Sequence, residues 1–124
     1  MRRIRISAAG VTVNAELNDS ATADAIWNAL PLEATGSTWG DEIYFSIPVN
    51  VSEARDAKAV VELGDLGYWP PGTAFCIFYG PTPASHGDEI RPASPVNVFG
   101  RITDDPTVFR KARGSVRVRV ERAE

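Results

Sequence analysis

Eight of the eleven aromatic side chains fall between residues 39 and 79: Trp39, Tyr44, Phe45, Tyr68, Trp69, Phe75, Phe78 and Tyr79. Six of the nine prolines lie between residues 70 and 95. The two sets overlap in "GDLGYWPPGTAFCIFYGPTP", residues 64–83. Rigid aromatics beside prolines suit a groove that grips an apolar small molecule or a peptide. The competing reading is a lid over the core, because aromatics are commonly just buried. Tyr68 and Trp69 precede Pro70-Pro71, and neither proline can donate a ladder hydrogen bond, so these two aromatics are expected at a rim rather than in a central strand. Trp69-Pro70 also suits a cis bond. Residues 73–79 are read as barrel wall, with the rim bordering a pocket that faces the loop 86–91.

That loop, within "PASHGDEIRP", gathers His86, Asp88, Glu89 and Arg91 into six positions. His86 is the one side chain whose ordinary titration lies near neutral pH. Arg91 is one of four basic residues between positions 6 and 109. An arginine in acidic surroundings is either neutralised by its neighbours or kept for an anionic ligand, and pairing with Asp88 or Glu89 is the simpler outcome. "GDEI" occurs twice, at 40–43 and at 87–90. If Asp41, Glu42, Asp88 and Glu89 converged at one mouth of a barrel, they could act as general acid and base or hold a hard cation. As turn residues leading into strands, they would be solvated acids only.

Other chemistries lack their residues. There is no G-x-S-x-G elbow for a serine nucleophile. Gly64-Asp65-Leu66-Gly67 lacks the lysine and the following helix of a phosphate-binding loop. The single cysteine, Cys76, excludes an internal disulfide. It sits in an apolar strand, where desolvation suppresses the thiolate. One histidine without a cysteine partner makes no zinc site, so no metal and no cofactor are expected.

The elements that must position these residues are mostly strands. "RRIRISA" and "VTVNAEL" alternate with a period of two, placing Ile4, Ile6, Val11, Val13, Ala15 and Leu17 inward, and they form a hairpin. "NDSATADAIWNAL" changes to a helical period, capped by Asp19, Ser20 or Thr22 and ended by Pro31. Strands are expected at 42–47, 59–63, 73–79 and through "PVNVFGRI", with residues 64–67 as a turn. "TDDPTVFRKARG" reads as a short helix with Asp104 or Asp105 as cap, Pro106 in its first turn and Gly114 beyond its end. "SVRVRVERA" closes the chain as a strand. Seven or eight antiparallel strands hide their edges best by closing, so the expectation is a barrel with a helix near each mouth. Ile4, Val13, Phe75, Ile77, Val98 and Val118 should then be buried, with Arg3, Arg5, Arg117 and Arg119 outside.

Composition agrees with one globular domain spanning residues 1–124: 44% hydrophobic and 23% charged. The net charge of −3 hides an asymmetry. Residues 1–5 and 110–124 hold 9 of the 13 basic side chains, opposed there by Glu121 and Glu124. The stretch between carries 4 basic and 14 acidic residues, a balance of −10 that repels phosphate backbones, so no nucleic-acid partner is expected. No apolar run approaches a membrane span, and the basic N-terminus lacks the apolar stretch of a leader, so no membrane partner is expected and a cytoplasmic protein is the simplest reading.

The order hairpin, helix, strands, helix, final strand resembles the cyclophilin barrel, and "VNVFGRI" resembles one of its strands. More specifically, "WGDEIYFSIPV", "VELGDLGYWPPGTAFCIFYGPTP" and "GDEIRPASPVNVFGRI" resemble a group of small bacterial and archaeal proteins with a cyclophilin-like fold and no assigned function. The resemblance implies a closed, mainly β barrel with two capping helices. It also raises prolyl isomerisation as an activity. Cyclophilins place a donor arginine on a strand soon after the first helix, and here no arginine occurs between Arg5 and Arg55. Fold analogy alone does not carry activity. The expectation is therefore a binding module for a small molecule or peptide. Its groove would be lined by Trp39, Tyr44, Tyr68, Trp69 and Tyr79, with His86 and Arg91 as polar anchors. The alternatives are a prolyl isomerase using Arg91 as a displaced donor, and a small hydrolase or lyase using His86 with the GDEI acids.

Overall fold

The computed structural model describes residues 2–123, so Glu124, counted above among the C-terminal charges, lies outside the described residues. Strands β1 (Arg3–Ala8) and β2 (Val11–Leu17) pair as a hairpin whose turn, Ala9-Gly10, takes positive φ at both residues. Helix α1 (Ala21–Ala29) follows, and then β3 (Leu32–Thr38), β4 (Glu42–Ser46), β5 (Asp65–Trp69), β6 (Ala74–Phe78) and β7 (Asn97–Ile102). A 3₁₀ helix (Pro106–Lys111) leads into β8 (Ser115–Arg122). The strands close in the order β1-β2-β7-β5-β6-β4-β3-β8, every pair antiparallel, so no sheet edge is left open.

The helices stop opposite mouths. β2 and β7 run antiparallel, with Leu17 facing Gly100 and Ala15 facing Ile102. Because α1 follows the end of β2 and the 3₁₀ helix follows the end of β7, they sit at opposite ends of the barrel. Ile26 and Phe109, both fully buried, are their plugs. Ser20 caps α1 by accepting from Ala23 N at 3.1 Å, and its own backbone and hydroxyl donate to Asn18 Oδ1. Ser20→Ala frees an orphan helix N–H and should lower the urea midpoint by an amount equivalent to about 1 kcal/mol.

The interior holds Ile4, Ile6, Val13, Phe75, Ile77 and Val118, as the alternating patterns require. Arg3, Arg117 and Arg119 face solvent and Arg5 is half-exposed. Three of these arginines are ion-paired: Arg5 with Glu121 at 3.5 Å, and Arg117 and Arg119 both with Glu33 on β3. The stripe is a self-neutralised exterior.

Some local expectations are corrected. β3 has no apolar alternation to announce it, because Gly36 occupies one of its buried positions; a Cβ there would meet Tyr44 O at 3.0 Å. Residues 59–63 form no strand, only a single bridge between Val61 and Ile90. Residues 65–69 form strand β5 rather than a turn and rim, while Pro70–Gly72 makes a 3₁₀ turn. Val98 lies on the outside. Leu66 pairs with Gly100 and Gly67 with Val98, so β7 carries an extra residue at Phe99. That bulge shifts the parity and sends Asn97 and Phe99 inward in its place. The cis bond among the described residues is Leu30-Pro31, so Trp69-Pro70 is trans.

Candidate functional site

β6 is buried at all five positions because it is covered on both sides. Phe75 and Ile77 point into the barrel, whereas Ala74, Cys76 and Phe78 belong to a second apolar cluster on its outer face, with Val61, Ile90 and Val96. The segment after β6 supplies this cover by folding back across the wall. Thr82 holds the fold-back at its waist: its hydroxyl donates to Arg91 O, and its backbone N–H donates to Ser85 Oγ at 3.0 Å. Gly67 lets the cover approach, since a Cβ on it would lie 2.7 Å from Val96 Cγ2.

The cover does not reach the whole outer face. Where it ends, a cavity of about 160 Å³ opens between Trp39, Glu42, Tyr44, Trp69, Cys76, Pro92, Ala93 and Val96. Three elements aim these side chains. Tyr44 on β4 pairs with Cys76 on β6, which pairs with Gly67 on β5, so Glu42, Tyr44, Cys76 and Trp69 share the outer parity. Trp39 sits in the β3–β4 turn, where its N–H donates to Glu42 O at 2.9 Å and Asp41 N–H donates to Pro81 O at 2.9 Å. Gly40 in that turn has φ of 61°, and a Cβ would meet Pro83 Cδ and Thr82 Cα at 2.9 Å. The ring of Trp69 is fixed by an Nε1–H bond to Ser94 Oγ at 2.7 Å and by its packing over Gly72.

Glu42 is the unusual member. It is 5% exposed, and its Oε1 is buried without a hydrogen-bond partner. Among the described residues no cation stands within ion-pair distance of it. Burial pushes its carboxyl up to about 7, and the neighbouring Cys76 thiol offsets part of that rise. The thiol is in turn raised well above its usual range, first by burial and then by Glu42, so it carries a proton and no nucleophile. A carboxyl poised near neutrality in an apolar pocket can accept or donate a hydrogen bond, exchange a proton, or pair with a cation.

The residues singled out from the sequence divide cleanly. Trp39, Tyr44 and Trp69 come together. Tyr68 does not: it is fully buried inside the barrel, where its hydroxyl donates to Val49 O at 2.6 Å and accepts from Val51 N–H at 3.2 Å. Tyr79 also turns inward against Phe109, with ring centroids 5.9 Å apart. His86 is exposed, and Arg91 is bound by Glu89 at 3.1 Å; neither lines the cavity. Glu89 accepts from the N–H groups of His86 and Gly87, which with Arg91 hold its carboxyl down to about 2. Asp41 faces Arg110 at 3.6 Å. The two GDEI segments therefore do not merge: the second is turn chemistry, and the first delivers Glu42 to the pocket. Among the described residues no three His, Cys, Asp or Glu side chains assemble as a metal site. Cys76, Pro92, Ala93 and Val96 complete the lining without any signal in the sequence pattern that marks them for it.

A family model described as Cyclophilin-like matches residues 2–121. The chain belongs to the cyclophilin-like family. Its barrel superimposes on the solution structure of a hypothetical protein from Archaeoglobus fulgidus with a TM-score of 0.83 and 43% identity, covering 98% of this chain and 95% of that one. McbB, solved in complex with tryptophan, matches with a TM-score of 0.70 and 19% identity over 97% of this chain. The cyclophilin-like chain spans 44% of McbB, and that likeness concerns the fold alone. No curated protein matches the sequence. Among the described residues no helix is long and apolar enough to cross a membrane.

Proposed function

We propose that this cyclophilin-like protein binds a small, mostly apolar molecule, or one apolar side chain of a peptide, in the pocket walled by Trp39, Tyr44 and Trp69. One observation carries the reading: a buried carboxyl, Glu42, with an unpartnered Oε1, at a cavity whose other walls are aromatic or aliphatic apart from the Cys76 thiol. Apolar walls with one placed polar group are the usual makeup of a ligand site. A cavity of this size matches a single or fused ring, since an apolar void of about 150 Å³ accepts benzene. Tyr44, 38% exposed, stands at the mouth and leaves a route in. The pocket's lining contains no arginine, and Arg91 is committed to Glu89, so the displaced-donor isomerase lacks its geometry here.

Indole is a suitable probe, being flat, apolar and equipped with one N–H that a carboxyl can receive. Calorimetric titration should show saturable binding to the wild type. Trp69→Ala should weaken that binding about tenfold, roughly 1.4 kcal/mol, while moving the thermal midpoint little, because Trp69 is only half-buried. Undiminished indole affinity in Trp69→Ala would rule this pocket out as the site. An X–Pro peptide assayed alongside should show no acceleration that depends on Arg91.

A further inference from the structure

The pocket raises a narrower question: why keep a buried carboxyl that no cation of the described residues answers? Glu42 Oε1 is buried and unpaired, and no cation of the chain is near it among the described residues. A proton, a neutral hydrogen-bond donor or a cation from outside can complete such a group, and the cation gains most once the carboxyl is ionised. We propose that the pocket recognises an organic ammonium group, with Glu42 as its counter-ion and the rings of Trp39, Tyr44 and Trp69 as the walls that receive its charge. This inference rests on the reading of the cavity as a ligand site.

Three features select that class of cation. Aromatic rings attract ammonium groups through their negative faces, and tryptophan does so best. A hard metal ion needs several oxygen ligands, whereas among the described residues no three His, Cys, Asp or Glu side chains gather to hold one. Pro92, Ala93 and Val96 add apolar lining that fits the carbon substituents of an alkylated amine rather than a hydrated ion.

Charge state then links binding to pH. With its carboxyl pushed up to about 7 by burial, Glu42 holds a proton in slightly acidic solution and must lose it to pair with a cation. The titratable groups facing it are few. From β6 come the Cys76 thiol, raised and protonated, and, just beyond the strand's end, the Tyr79 hydroxyl, raised to about 12. From its own turn comes Asp41, which Arg110 of the 3₁₀ helix engages at 3.6 Å; Arg113 also acts on Tyr79. The Cys76 thiol and the Tyr79 hydroxyl, both raised, keep their protons throughout the range in which Glu42 ionises. Affinity for a permanent cation should therefore rise with pH up to about 7 and level off above it.

Choline and its neutral isostere 3,3-dimethyl-1-butanol separate charge from shape. Titrated calorimetrically at pH 8, choline should bind the wild type at least about tenfold more tightly than the alcohol. Between pH 5 and 7 choline affinity should climb by about tenfold for each step of one in pH, while the alcohol's stays flat or falls. In Glu42→Gln the preference for choline should shrink to the small part the rings supply, its pH dependence should vanish, and the alcohol should still bind. Equal or tighter binding of the alcohol by the wild type, a flat pH profile for choline, or a choline preference undiminished in Glu42→Gln would each overturn the ammonium assignment. If indole binds and choline does not, the ligand site stands and only its cation specificity falls. If indole, choline and the alcohol all fail to bind, both readings fall together.

Discussion

Replacing Glu42 by glutamine should stabilise the protein at pH 8 by about 3 kcal/mol and do almost nothing at pH 4. The sign follows from linkage. The carboxyl's ordinary value is 4.5, and burial in the fold raises it to about 7. Below 4.5 the group is protonated whether the chain is folded or not, and its burial is tolerated. As pH rises from there, the unfolded chain ionises first, so stability is lost progressively until the folded carboxyl ionises near 7. A tenfold change in a protonation equilibrium is worth about 1.4 kcal/mol, and the rise from 4.5 to about 7 sets the size of the effect on that scale. Glutamine keeps the shape and removes the charge. Urea unfolding of both proteins across this pH range reads the difference directly. A gain independent of pH would mean that Glu42 is not desolvated, and the pocket would lose its distinctive group.

Phe75→Ala should produce the opposite kind of damage, a loss of roughly 3–5 kcal/mol at every pH. Phe75 is fully buried, stacked on Phe45 at 4.9 Å and meeting the edge of Phe99 at 5.0 Å. These neighbours are held by a closed ladder that cannot collapse far, so truncation leaves a cavity rather than a rearranged core. Phe75→Leu, which fills most of that space, should recover more than half of the loss in the same urea titrations. A cost below about 1 kcal/mol for Phe75→Ala would show that the wall of β6 is not packed as described. The contrast with Trp69→Ala matters, because adjacent strands then separate two duties: inward residues hold the barrel, and outward ones hold a ligand.

How far the sequence reveals this division depends on parity. The barrel is legible because β1, β2 and β8 alternate strictly and α1 has a cap and a proline stop. β6 is legible as a wall from its unbroken apolar run, although that run does not say which face meets the core. Tyr68 is misplaced for a local reason. Reading 64–67 as a turn and Pro70-Pro71 as a rim hides the strand between them, and in a strand Tyr68 and Trp69 must point to opposite faces. Tyr79 simply continues the inward parity of Phe75 and Ile77 and meets Phe109, whereas Val98 fails through long-range geometry, displaced by the bulge at Phe99. Glu42 looks like half of a turn motif because burial of an acid is invisible until the segment that covers β6 is folded over it. Arg91 and His86 are marked by composition, yet Glu89 next door binds the Arg91 guanidinium and the His86 backbone N–H, short-range contacts made away from the cavity.

The three tryptophans provide the most direct test of the central claim, that the outer pocket is the ligand site. Trp39 and Trp69 line it, whereas Trp27 lies on α1 beneath Arg122, whose guanidinium sits 4.5 Å from its ring. In a ¹H–¹⁵N correlation spectrum their indole N–H groups give three separate signals. Adding indole should shift those of Trp39 and Trp69 in a saturable manner and leave that of Trp27 in place. Shifts confined to Trp27, or none at Trp39 and Trp69 at millimolar indole, would contradict the account.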